Sequence, residues 1–120
     1  MARRLALIGA PTSAGAYAPG QEKAPAAFRA HGIADAMRRA GWHVRDLGDV
    51  EGFRWRPDPS RPKAMNLEAV ASVARRVSER VAEALQAREL ALVLGGDCTI
   101  ELGSVAGALR ESESVGLIYI

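Results

Sequence analysis

The amino-acid sequence predicts an α/β sandwich built on a mostly parallel sheet. Three observations carry that expectation. Short apolar runs, "RLALIGA", "ELALVLGG" and "SVGLIYI", recur along the chain, each continuous enough to be buried on both faces, as a strand of a parallel sheet is. Helical segments stand between these runs, the order that successive βαβ units produce. The 120 residues suffice for one modest domain, and with 48% apolar and 25% charged residues a packed core is expected and disorder is not.

Each element follows from local chemistry. "LALIGA" is closed by Gly9 and Pro11 and reads as the first strand. With the preceding arginines it imitates a secretory signal. Its six apolar or small residues before Pro11 nevertheless fall short of the roughly 7–15 of such a segment. "PTSAGAYAPGQEK" is rich in small residues, proline and glycine and reads as a loop. "APAAFRAHGIADAMRRAG" then reads as two short helices, with Pro25 in a first turn and Gly32 and Gly41 at helix ends. "WHVRDLGDV" alternates enough to be a second strand nearer a sheet edge. Residues 51–65 contain three prolines and make a surface connection.

The clearest helix follows, over about residues 66–89, with Asn66 as its expected N-cap. Leu67, Val70, Ala74, Val77, Val81 and Leu85 recur at spacings of three and four and predict the stripe that packs on the sheet. "ELALVLGG" is the third strand, "TIELGSVAGALRES" a further helix, and "SVGLIYI" a fourth strand. The first, third and fourth strands are expected side by side. A chain that stops on an apolar strand reads as the front part of a longer protein.

Composition excludes several classes of function. A formal charge of +2 predicts no polyanionic partner, and no nucleic acid is expected. No apolar run approaches the roughly 18 residues of a membrane span, so no membrane partner is expected. One cysteine, Cys98, requires no oxidising compartment, and a cytoplasmic location is the expectation. The loop after the first strand lacks the glycine spacing of either common phosphate-binding motif. "FRWRPDPSRPK" mixes arginines with Phe53 and Trp55, which single-stranded nucleic acid can use, but a solvated loop is the simpler reading. His31 reads as a helix-end cap and His43 as a strand residue, neither with metal-ligand spacing to another donor.

Gly95-Gly96-Asp97-Cys98 is the most informative stretch. It lies between a strand end and a helix start, where open α/β sheets bind ligands. Two glycines allow a sharp turn and a close approach. A thiol at the positive end of a helix suits a reactive or ligating cysteine, yet free cysteine is also among the most buried residue types. The residues alone leave both readings of Cys98 open.

"LVLGGDCTIELGS" resembles the Gly-Gly-Asp-His-Ser motif of the ureohydrolases, the arginase and agmatinase family. The resemblance runs along the chain. Pro25, Arg29, Gly32 and Ile33 are similar to the family's first helix, Gly48 and Asp49 to the close of its second strand, and "SVGLIYI" to the strand that leads into its Asp-x-His-x-Asp motif. The resemblance implies a three-layer α/β/α sandwich, with residues 1–120 as the N-terminal part of a single arginase-like domain, truncated after the fourth strand. It implies hydrolysis of a small guanidino or amidine substrate at a binuclear Mn²⁺ site, and a homo-oligomer. Cys98 stands where the family has its first histidine ligand, with Gly95, Gly96 and Asp97 as turn or supporting residues. A soft thiolate there suits Zn²⁺ or Fe²⁺ better than Mn²⁺. The remaining ligands would lie beyond Ile120, so the chain alone is expected to be inactive. The contrasting expectation is a non-catalytic arginase-fold binding or assembly module with a degenerate metal site.

Overall fold

The computed structural model describes residues 2–120. Three parallel strands, β1 (Arg3–Ala10), β2 (Trp42–Asp49) and β3 (Leu90–Gly95), form one sheet in the order β2-β1-β3. Helices α1 (Ala24–Ala30), α2 (Ile33–Arg39), α3 (Leu67–Gln86) and α4 (Ile100–Leu109) fill the crossovers and flanks. Because all three strands run the same way, Ala10, Asp49 and Gly95 bring their carboxyl ends to one edge.

The sheet is covered on both faces, which makes the three-layer sandwich. On one side Ala6, Ile8 and Ala10 of β1 pack with Val73, Val77, Val81 and Ala84 of α3 and Ala108 of α4. On the other, Leu5, Leu7 and Leu94 pack against Ile33, Ala34 and Met37 of α2. Successive side chains of a strand point to opposite faces, so a run such as "LALI" must be apolar throughout. Each fully buried Leu, Ile or Val here contributes about 1.5–3 kcal/mol by leaving water.

The structure departs from the sequence expectation at three places. Residues 115–120 are exposed and form no strand, so the described sheet has three strands and β1, not β3, has neighbours on both sides. An apolar run states a need for burial without stating where the partner lies. Here the run leaves α4 and passes near Cys98, with Tyr119 Oη 3.4 Å from Cys98 Sγ, instead of adding to the β3 edge. The second departure is in the α3 stripe. Val77 and Val81 are buried as expected, but Leu67 is 49% exposed, and Val73 and Ala84 complete the buried line. The third is Asn66, which stands at the N-cap but makes no side-chain cap. Its backbone is left-handed, with φ 58°, and its side-chain amide donates to the Arg56 carbonyl at 3.1 Å. Asparagine is among the few non-glycine residues that tolerate this conformation.

α1 and α2 break where expected: Gly32 has φ 80°, and His31 caps α1 with its ring Nδ1 2.8 Å from the Ala27 carbonyl. The packing of α3 on α4 depends on two glycines. A Cβ on Gly103 would stand 2.9 Å from Val77 Cβ, and one on Gly107 would stand 2.9 Å from Ser78 Cα. Bare backbone at these two positions lets the helices touch.

Candidate functional site

At the carboxyl edge of the sheet the loop after β1 lies against the β3–α4 turn. Gly96, with φ 21°, is the point of closest approach: a Cβ there would sit 2.6 Å from both the Ala10 and Thr12 carbonyl oxygens. The next residue is joined by backbone, Asp97 N–H donating to the Thr12 carbonyl at 2.9 Å. Asp97 is 4% exposed. Its Oδ2 accepts the Gly15 N–H at 2.9 Å, and its Oδ1 accepts the Thr99 N–H at 2.9 Å and the Thr99 hydroxyl. Burial without such donors would cost several kcal/mol; here each oxygen is engaged. Cys98, by contrast, is exposed at the head of α4. The thiol is the first cause that holds the Tyr119 hydroxyl above its usual pKa range.

The β1 loop is itself held by its neighbours. Ser13 N–H donates to the Phe53 carbonyl and Ser13 Oγ accepts the Trp55 N–H at 2.8 Å, so residues 53–55 brace it from outside. Glu22 accepts the Gly20 N–H at 2.7 Å and pairs with Arg54. The Ser13 hydroxyl first, then the Gly20 amide and Arg54, hold the Glu22 carboxyl down to about 2. The basic connection is thus largely tied up within the chain: Arg54 on Glu22, Arg61 on Glu68 at 2.8 Å, and Arg56 over the Phe53 ring at 5.1 Å.

A second cluster at the same edge escaped sequence reasoning as a unit. Arg29 of α1 donates to both Asp46 oxygens at 3.0 Å and also pairs with Asp49 at the end of β2. The Asp46 hydrogen bonds first, and then those of Asp49, raise the already high pKa of Arg29, while Arg29 holds the Asp46 carboxyl below its usual range. A Cβ on Gly9 would run into the Asp49 carboxylate, so the bare backbone there leaves room for the pair in this arrangement. Arg29 and Asp49 were visible singly; their pairing, across 20 residues, depends on the fold. His31 sits at the end of α1 and His43 near the start of β2. Among the described residues, no three of His, Cys, Asp and Glu come together as a metal-binding group, and no helix is long and apolar enough to cross a membrane.

The model of the arginase family matches residues 3–120, nearly the whole chain. This chain belongs to the arginase family. It is 33% identical over 112 residues to an arginase of Agrobacterium fabrum, covering 92% of this chain and 34% of that relative. It is 29% identical over 118 residues to human arginase-1, covering 98% of this chain and 37% of the relative. The crystal structure of arginase from Bacillus cereus superposes with a TM-score of 0.81 at 28% identity, covering 95% of this chain and 37% of that one. The chain therefore spans little more than a third of the arginases it matches. Its α/β fold, with the parallel sheet and flanking helices, is that of the arginase structures.

Proposed function

We propose that this chain forms the N-terminal part of a single arginase-like domain in a metal-dependent ureohydrolase, one that cleaves a small guanidino or amidine compound. The observation that carries the reading is the family match across residues 3–120. The similar proteins are arginases by name, which supports a hydrolase and leaves the substrate within the guanidino class to experiment. A metal pair would supply an activated water at neutral pH and stabilise developing charge.

The donors of this chain do not suffice for such a pair. A catalytic metal usually takes about three protein ligands, and two metals need more. Cys98 is exposed and offers one sulfur, while Asp97 is buried with both oxygens already receiving protein donors. Residues 1–120 are thus a platform that places one donor and its supporting turn at the ligand edge. Cysteine in that position favours one alternative, an arginase-fold module that binds or assembles without catalysis.

Urea release and metal content decide between them. The intact protein loaded with manganese should release urea from a guanidino compound such as arginine or agmatine, whereas residues 1–120 alone should release none with or without manganese. Stoichiometric manganese and turnover by residues 1–120 would overturn the donor count. An intact protein with neither metal nor turnover is the module. Cys98→His in the intact protein should raise manganese affinity, and unchanged affinity would remove Cys98 from the ligand position.

A further inference from the structure

We infer that Asp97 is the positioning residue of this edge: it locks the β1 loop and the β3–α4 turn into one unit and so fixes where Cys98 stands. The inference deepens the hydrolase reading, because it concerns the same site, but its readouts require neither metal nor turnover.

The geometry is specific to a carboxylate. Three donors converge on Asp97 from two directions, Gly15 N–H on Oδ2 and Thr99 N–H and hydroxyl on Oδ1. An aspartate accepts at both oxygens and donates from neither. Asparagine keeps the shape but must turn its NH₂ toward either Gly15 N–H or Thr99 N–H, donor against donor. The two sides of the clamp are far apart in sequence, Gly15 and Asp97 being separated by 82 residues, so the contact ties two distant loops and not one local turn. Close approach is built in on both sides. A Cβ on Gly15 would stand 3.0 Å from Asp97 Oδ1, and the Gly96 position has no room for one against Thr12. Thr12 is itself buried, and its Oγ1 accepts the Ala14 N–H at 3.1 Å, which shapes the loop that meets Asp97. Cys98 follows Asp97 directly and carries none of these contacts, so its placement is inherited from its neighbours. Tyr17, fully exposed on the same loop, is carried on the unit that Asp97 holds.

The test uses the intact protein, with amide hydrogen exchange and the rate of Cys98 alkylation by iodoacetamide as readouts. Hydrogen bonds to charged acceptors contribute about 1.5–3 kcal/mol each, which is roughly a ten- to hundredfold change in a local opening equilibrium. Asp97→Asn should therefore speed exchange at Gly15 and Thr99 at least tenfold and change the alkylation rate of Cys98. Core amides such as Leu7 and Ile8 should stay within twofold of wild type. Thr99→Val, which removes one donor without touching Asp97, should shift the Cys98 rate in the same direction, and Thr99→Ser should restore it. Equal acceleration at Leu7 and Ile8 would make Asp97 an ordinary stabilising residue and overturn the inference. Gly15, Thr99 and Cys98 all within twofold of wild type in Asp97→Asn would overturn it too. If Asp97→Asn does not fold, Thr99→Val carries the test: a Cys98 rate equal to that of wild type overturns the inference. Loss of urea release in an unaltered protein would bear on the hydrolase reading alone.

Discussion

Gly107→Ala tests the close packing of α3 on α4 by adding a single methyl. The new Cβ would run into the Ser78 carbonyl oxygen and stand 2.9 Å from Ser78 Cα. Carbon atoms prefer about 3.5–4.0 Å, so the helices must separate by roughly 0.6–1 Å. Overpacking of this kind costs about 1–3 kcal/mol. Alanine returns about 1 kcal/mol of helix propensity over glycine, because it restricts the unfolded chain. The difference leaves a net loss of up to about 2 kcal/mol. Gly103→Ala meets Val77 Cβ at 2.9 Å one turn earlier and should lose a similar amount. Since either methyl pushes the same helix away, the double variant should lose at least about 0.5 kcal/mol less than the sum. Equilibrium urea unfolding followed by far-ultraviolet circular dichroism measures all three, and Gly116→Ala, with nothing within 4 Å of its new methyl, is the neutral control. A Gly107→Ala protein more stable than wild type would show that propensity alone governs α4 and that the close approach is not real.

Three further outcomes rest on the same packing and ion pairs. Val77 is fully buried between the sheet and α4, so Val77→Asp should cost more than about 3 kcal/mol in urea unfolding, and a loss below about 1 kcal/mol would take α3 out of the core. Glu89 has a side chain 1% exposed and receives Arg45 at 2.8 Å and Arg4 at 3.4 Å. Glu89→Gln should cost about 1–3 kcal/mol, less than a fully buried pair because both arginines reach solvent, and a neutral result would show that the network contributes no stability. Glu22 is depressed to about 2 from an ordinary 4.5, so its contribution is present above about pH 4.5 and is lost as pH falls toward 2. Glu22→Gln should flatten that part of the acid-unfolding curve, and an unchanged curve would exclude Glu22 as its source.

The fold was legible where one residue type has one physical use. "LALIGA" could hardly be anything but a strand covered on both faces, and Gly32 and His31 mark the break between α1 and α2 by backbone conformation and capping. The stripe of α3 had the right period with a shifted centre, because the period belongs to the helix and the centre to what covers it. α4 comes closest at Ala74 and Ser78, where Gly103 and Gly107 present no side chain. Two glycines four apart inside a helix were a readable signal: each costs about 1 kcal/mol of helix propensity, a cost that contact between helices offsets. Residues 115–120 illustrate the opposite case. Their apolar character was plain, but strand pairing is a property of two segments, and only one was in view.

The candidate site divides in the same way, into a local half and a long-range half. Asp97 followed two residues later by Thr99 is a recognisable side-chain turn, and the glycines before it announce a tight passage. Nothing in that stretch says that Gly15 completes the contact, because Gly15 arrives only after β1 and β3 have paired in register, Gly9 beside Leu94 and Ala10 beside Gly95. The same holds for Arg29, which meets Asp46 and Asp49 only once α1 has packed on the sheet and its side chain reaches across to β2. Register therefore does more than align the core. By bringing β1 and β3 to the same height at their carboxyl ends, it converts a buried acid, costly if left alone, into the contact that holds the carboxyl edge of the sheet together. A one-residue slip between β1 and β3 would turn every β3 side chain to the other face and move Asp97 away from Gly15 at once. Core packing and site geometry in this chain thus depend on the same alignment of two strands.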